Sequence, residues 1–318
     1  MHCGYPSAAA RSAVLLLFLL PACGGDDGGG GNGPGDNLVI AKAAPSGDAQ
    51  TATVGEALTD PLRVLVTLDG DPEVGRTVAW TALAGQVAPT SSVTGADGIA
   101  STAWTLGNTS GGQTARATLG GAAGSPLTFN ATAEAGPAAT MTKGEGDNQA
   151  GRAGTAAATP LIVRILDAFG NGVPGTNVTF AVTAGSGQVA PLTDATGADG
   201  SAQTVLTFGA TPGPITVQAS VVGLAGSPQA FAAEGGHVQV VNNQFQPASL
   251  TVPAGTTVRW VWVQGATEHN IVPDATEPTS SGTENYPFVY QYTFATPGTY
   301  DYQCSIHGAS MSGTITVN

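Results

Sequence analysis

Cations are scarce in this chain: Lys and Arg together number 9 of 318 residues against 22 Asp and Glu, a formal net charge of -13. A surface so poor in positive charge excludes nucleic acid and anionic membrane faces as electrostatic partners. Charged residues of either sign make up only 10%, and Cys 3, His 4 and Met 3 are equally few. Long apolar runs are lacking too; Ala13 to Leu20 is too short to cross a bilayer. What is plentiful is Gly 46 and Pro 21, with Thr, Val and Ala throughout. That mixture disfavours long helices and favours short strands joined by turns, so the expected class is all-β. The length suggests two or three domains.

The N-terminus reads as a targeting segment. Arg11 is a short positive flank, Ala13 to Leu20 suits a secretory apolar region, and Leu20-Pro21-Ala22-Cys23 follows. This tetrad resembles the lipobox of bacterial lipoproteins, which implies a signal peptide over 1–22 and a lipidated Cys23 as mature N-terminus. Residues 23–36, nearly all Gly, Asp and Asn, cannot bury a core and read as a flexible tether. Gly24 rather than Asp after the Cys fits outer-membrane anchoring. The expectation is therefore an exported protein held at a membrane by its N-terminal lipid. With Cys3 in the signal and Cys23 lipidated, Cys304 is the one thiol left in the folded part, so no disulfide forms within a domain. A lone thiol in an oxidising compartment calls for an occupant.

Between the tether and about residue 235 the chain repeats with a period of roughly 100 residues, the size of a β-sandwich. Leu62 to Asp69 aligns with Pro160 to Asp167. GQVAP recurs at Gly85 and Gly187, TGADG at Thr94 and Thr196, and GSP with its following Phe at Phe129 and Phe231. Alternating strands such as Val178 to Val182 and Asp-Gly turns at Asp97-Gly98 and Asp199-Gly200 fit half-buried hairpins. The segment Asp167 to Gly175, followed by VTF and TGADG, resembles bacterial Ig-like domains of the invasin and intimin type. Two such sandwiches are expected, over 37–135 and 136–235. The first repeat lacks the Phe-Gly-Asn segment between Asp69 and Gly75. Neither repeat contains His or Cys, and their acidic residues sit mainly in turns, so a catalytic site is not expected there. Asp69-Gly70-Asp71 and Glu145-Gly146-Asp147 are minor calcium candidates, and the Asn130 and Asn177 triplets read as strand residues rather than glycosylation sites. The simplest role is a spacer or adhesion stalk.

Residues 236–318 differ. A strand over Val238 to Val241 leads into F-x-P-x-x-L-x-V-x-x-G-T-x-V-x-W from Phe245 to Trp260, then EHNIV, then PGTYDYQCSIHGASM and a final strand expected over Gly313 to Val317. One thiolate, two imidazoles and a weak thioether are what a blue-copper centre requires. Cys304, His307 and Met311 stand in a C-x2-H-x3-M arrangement between two strands, and His269 arrives from an upstream loop. This pattern is similar to plastocyanin, pseudoazurin and related cupredoxins, and implies a Greek-key β-sandwich with one mononuclear type 1 copper held by His269, Cys304, His307 and Met311. The resemblance also gives Asn270 the role of tying the ligand loops together. Many plastocyanins have four residues between His and Met, whereas this chain has three, which bears on colour and potential.

The function implied is electron transfer rather than catalysis. The electron would leave by the edge of His307, ringed by Ile306, Gly308, Ala309 and Pro273. Glu268, Asp274, Glu277 and Glu284, opposed in the domain only by Arg259, would steer a positive redox partner such as a c-type cytochrome. A multicopper oxidase or copper nitrite reductase needs more His than His237, His269 and His307 provide, unless a trimer shares His237 across an interface; otherwise His237 reads as a surface residue. The rival reading is a surface adhesin whose cupredoxin domain has a non-redox role.

Overall fold

A computed structural model describes residues 37–318. The expected signal peptide, lipidated Cys23 and tether, residues 1–36, lie outside the described residues. Among the described residues there is no helix, and the strands fall into three hydrophobic cores in chain order. The chain is thus all-β, two Ig-like sandwiches followed by a cupredoxin sandwich.

The two repeats share one topology. In the first, the strands Leu38–Lys42, Leu62–Leu68, Ile99–Thr105 and Gln86–Ala88 form one sheet, and Gln50–Thr53, Leu127–Glu134, Gly111–Thr118, Thr77–Ala82 and Ser91–Val93 form the other. The second repeat reproduces this order, without a counterpart to the short strand Asp71–Pro72 that flanks Leu62–Leu68 in the first. Alternating residues meet between the sheets: Trp80, Trp104 and Phe129 in the first core, and Phe180, Leu206 and Phe231 at the corresponding places in the second. Each sandwich buries one threonine hydroxyl that donates to a proline carbonyl at 2.7 Å, Thr102 to Pro89 and Thr204 to Pro191. Lys42 and Lys143 lie 5.1 and 5.2 Å over the rings of Phe129 and Phe231 while pairing with Asp48 and Asp147. Asp147 is therefore taken by Lys143 and the backbone of Ala232, which leaves little for a cation. Asn130 and Asn177 lie in strands, as expected.

The Phe-Gly-Asn segment, present in one repeat and absent from the other, is a joint between them. The buried Asp167 carboxylate accepts N–H groups from Phe169, Asn171 and, at 2.8 Å, from Gly136 in the connection between the sandwiches. The Asn171 side chain then accepts from Ser110 N–H at 2.9 Å and donates to the Asn108 carbonyl at 2.8 Å, both in the first sandwich. The first repeat has no sandwich described before it to clasp, and its Asp69 accepts from Asn37 N–H alone.

The third sandwich sets Gln244–Gln246, Val238–Val241, Thr256–Trp262 and Val289–Phe294 against Ser249–Val252, Gly308–Val317, Gly298–Cys304 and Val272–Pro273. Two of its strand pairs are parallel, Val238–Val241 with Thr256–Trp262 and Ser249–Val252 with Gly308–Val317. Its core is aromatic: Trp260 meets Tyr302 edge-on at 5.5 Å and Tyr290 at 5.5 Å, and Trp262 meets Phe288 at 5.1 Å. The last strand begins at Gly308 and not at Gly313, so Met311 sits within a strand instead of in the loop. Sheet pairing resumes directly after His307 because Cys304 and Gly308 pair across a register shift.

Burial alone would push the Asp167 carboxyl up, but its hydrogen bonds hold it below the ordinary carboxylate range. Its contribution to stability is therefore complete above pH ~4 and is lost as pH falls through the lowered value. Asp167→Ala, which strands buried N–H groups, is expected to cost about 1–3 kcal/mol in denaturant unfolding of the second sandwich at neutral pH.

Candidate metal centre

Two loops at one end of the third sandwich supply the site. The first leaves Thr256–Trp262 and carries His269; the second is the three-residue turn from Cys304 to Gly308. Cys304 is fully buried at a strand end, and His269 is 1% exposed, while His307 is half-buried. The Cys304 Sγ lies 3.9 Å from His269 Nδ1 and 3.6 Å from His307 Nδ1. All three donor atoms fall within 4.8 Å of one another, the one such His, Cys and acidic cluster among the described residues. A first-row ion held trigonally by nitrogen and sulfur at about 2.0–2.3 Å requires N···S separations of about 3.5–4 Å, which these atoms meet. Met311 is buried in the same hydrophobic cluster as Cys304, on the strand that follows the turn.

Asn270 joins the two loops. Its Oδ1 accepts the Ser305 N–H at 2.8 Å, and its Nδ2 donates to Ser305 Oγ at 2.8 Å and to Thr283 Oγ1 at 3.0 Å. The turn itself is pinned by His307 N–H to the Cys304 carbonyl at 3.2 Å and by Ser310 Oγ to the His307 carbonyl at 2.6 Å. Gly308 takes φ of 56°, a left-handed conformation that lets the backbone reverse into the last strand.

Burial, with the neighbouring His307 adding to it, lowers the pKa of His269, which keeps that imidazole neutral. Its Nε2 lies 3.4 Å from Asn242 Oδ1, so a proton on Nε2 has an acceptor and Nδ1 keeps its lone pair toward the sulfur. Asn242 was not foreseen. Its signal was the Asn242-Asn243 pair, a hairpin turn with Asn243 at φ of 64°. Glu284, expected only as a surface charge, also has a backbone role that was not foreseen: it pairs with His269 in both directions at 3.1 and 2.9 Å.

Around the site Ile306 is 50% exposed, Ala309 is exposed, and Gly308 and Pro273 are half-buried. Glu268 and Asp274 are exposed, and Glu277 and Glu284 are half-buried. Two expectations need correction. His237 is half-buried at the junction with the second sandwich, where its Nδ1 accepts the Arg259 N–H at 3.3 Å. Arg259 pairs with Glu234 of the second sandwich, and is thereby drawn away from the acidic residues it was expected to oppose.

Comparison with known proteins agrees with this geometry. Residues 145–233 match the bacterial Ig-like domain (group 1) family, and residues 236–318 match the copper binding proteins of the plastocyanin/azurin family. The chain is 45% identical over 84 residues to a plastocyanin of Scenedesmus fuscus, covering 23% of this chain and 85% of that protein. It is 37% identical over 82 residues to a plastocyanin of Prochlorothrix hollandica, covering 23% of this chain and 62% of that relative. Among solved structures, the Escherichia coli adhesin FdeC is 16% identical with a TM-score of 0.44, over 89% of this chain and 96% of that one. Through its third domain the chain belongs to the plastocyanin/azurin family of copper-binding proteins.

Removing the buried Asn270 side chain would break its part-buried hydrogen bonds to Ser305 and Thr283 and leave a gap between the loops. Asn270→Ala is expected to destabilise the third domain by about 1–3 kcal/mol, read as a shifted denaturation midpoint of the metal-free protein by Trp260 and Trp262 fluorescence.

Proposed function

We propose that this chain is a one-electron carrier built on a mononuclear type 1 copper site. The ligands in this reading are His269, Cys304, His307 and Met311. The observation that carries it is the buried thiol of Cys304 facing two imidazole Nδ1 atoms at 3.9 and 3.6 Å. Bound copper would supply the Cu(I)/Cu(II) couple. The chain's own residues do the rest. Thiolate and thioether suit the reduced ion and imidazole suits both states. The hydrogen-bonded loops hold one compromise geometry, and the aromatic core excludes water from three of the four ligands. His307 is the partly exposed exception, with Ile306 and Ala309 beside it. In this reading the electron crosses there.

The Ig-like repeats serve as a stalk, joined end to end by the Asp167 and Asn171 contacts. The lipobox-like Leu20 to Cys23 places the protein at a membrane, lipid-anchored and exported, with the outer membrane the expected site. With Arg259 engaged by Glu234, Glu268, Asp274, Glu277 and Glu284 leave the domain surface negative, which suits a positively charged redox partner such as a c-type cytochrome.

Addition of Cu(II) to the metal-free chain should produce an intense visible thiolate-to-copper band, bleached by ascorbate and absent from Cys304→Ser. No band and no retained copper would end the redox reading and leave a surface adhesin. Electron exchange with a basic c-type cytochrome should slow as salt rises, because exposed charges are screened beyond about 10 Å at 0.1 M. A rate indifferent to ionic strength would remove the acidic residues from partner steering.

A further inference from the structure

No linker separates the stalk from the copper domain. The strand Gln229–Gly236 runs into Val238–Val241 with His237 alone between them. Gly236 lies so close to Val261 that a Cβ there would sit 2.6 Å from one valine methyl and 2.7 Å from the other. Arg259 pairs with Glu234 and donates to Gln291 at 2.8 Å, while His237 N–H reaches the Arg259 carbonyl at 2.9 Å. These contacts join the two sandwiches directly.

A second contact lies further along, toward the metal end. The Tyr286 hydroxyl donates to the carbonyl of Asn148, in the second sandwich. Burial and the nearby Asp147 carboxylate raise the pKa of this phenol, which keeps the donor proton in place. Beside it a cavity of about 410 Å³ is walled by Trp262 and Phe288 of one domain and Ile215 and Ala233 of the other.

What Tyr286 belongs to gives this contact its meaning. Residues 283–286 run along the His269 loop and bond to it residue by residue. Thr283 Oγ1 accepts from Asn270 Nδ2 at 3.0 Å, and Glu284 exchanges backbone hydrogen bonds with His269. Asn285 Oδ1 accepts the Glu268 N–H at 2.8 Å, where Glu268 holds φ of 57°. Tyr286 N–H donates to the Ala266 carbonyl at 2.9 Å. The strap that shapes the His269 loop therefore has its far end fastened to another domain.

We propose that Tyr286 is a positioning residue through which the second Ig-like sandwich braces the His269 loop, making that sandwich part of the frame of the metal site. The second sandwich and the geometry of the centre are then coupled through one phenol and the hydrogen bonds that residues 283–286 make to the His269 loop. The proposal rests on the copper reading only for its spectroscopic and electrochemical arm.

The test compares the full chain with Tyr286→Phe, which keeps the ring and deletes the hydroxyl. In the metal-free proteins, amide hydrogen exchange of His269 and Glu284 should quicken about fivefold, the factor expected for one net hydrogen bond. Amides of the Gly308–Val317 strand should not change, which separates a loosened loop from a failed fold. In the copper-loaded proteins the midpoint potential should shift and the visible band should move. Arg259→Gln serves as a comparison that loosens the junction without touching the strap, and should leave both amides as they are. Unchanged exchange at His269 and Glu284 in Tyr286→Phe overturns the proposal whatever copper does. Faster exchange in a protein that never shows a thiolate band would keep the brace and sink the copper reading instead.

Discussion

The amide of Asn270 is the contact on which the metal end of this protein depends. It sits between a loop that carries His269 and a turn that carries Cys304 and His307, and it uses both ends of its side chain to hold them. Backbone pairing holds His269 to Glu284 and Val272 to Gln303, and the Asn270 amide carries the connection on from the His269 loop to Ser305 in the turn. Without such a tie, two short connections at one end of a sandwich would sample many separations, and the entropy of fixing them would fall on the metal alone. Because the amide is buried and both of its polar atoms are used, the donor atoms are brought to coordinating distance by the polypeptide itself. A metal arriving there finds its ligands largely preorganised.

The two Ig-like sandwiches are built on repetition instead. Its two sandwiches repeat the same strand order, the same buried threonine and the same lysine laid over a phenylalanine. Large side chains have diverged between them, Trp104 against Leu206 and Trp80 against Phe180, since a core tolerates changes of size when volume is kept overall. The difference that alters assembly is the Phe-Gly-Asn segment, found where one sandwich follows another. There a single buried carboxylate organises both the turn and the connection that enters the domain.

At the second junction the same end-to-end logic brings the copper domain into contact. Strand runs into strand, a glycine allows the approach, and an ion pair of Arg259 with Glu234 crosses the boundary. A half-buried pair of this kind sets a desolvation cost against its Coulomb attraction and is weak evidence for stability. Its consequence is geometric: it consumes the one cation of the third domain, so the surface near the metal end keeps its negative sign.

By itself the sequence determined the class and the chemistry. Scarce charge with abundant Gly, Pro, Thr and Val specified strands; internal repetition specified two equivalent sandwiches; and Cys304, His307 and Met311 with an upstream His269 specified a thiolate-imidazole site, because those donor types at that spacing have few other uses. Asn270 was legible through the resemblance to plastocyanins, in which an Asn follows the ligand His. The tertiary structure alone decided what depends on distance across the chain. Asn242 faces His269 from a hairpin 27 positions earlier, His237 turns inward at a junction, Met311 lies on a strand because pairing resumes at Gly308, and Tyr286 reaches a carbonyl 138 positions away. Local pattern encodes which residues alternate and which turn. It does not encode which loop ends share a neighbour, since that is settled only when the sandwiches pack and bring their ends together.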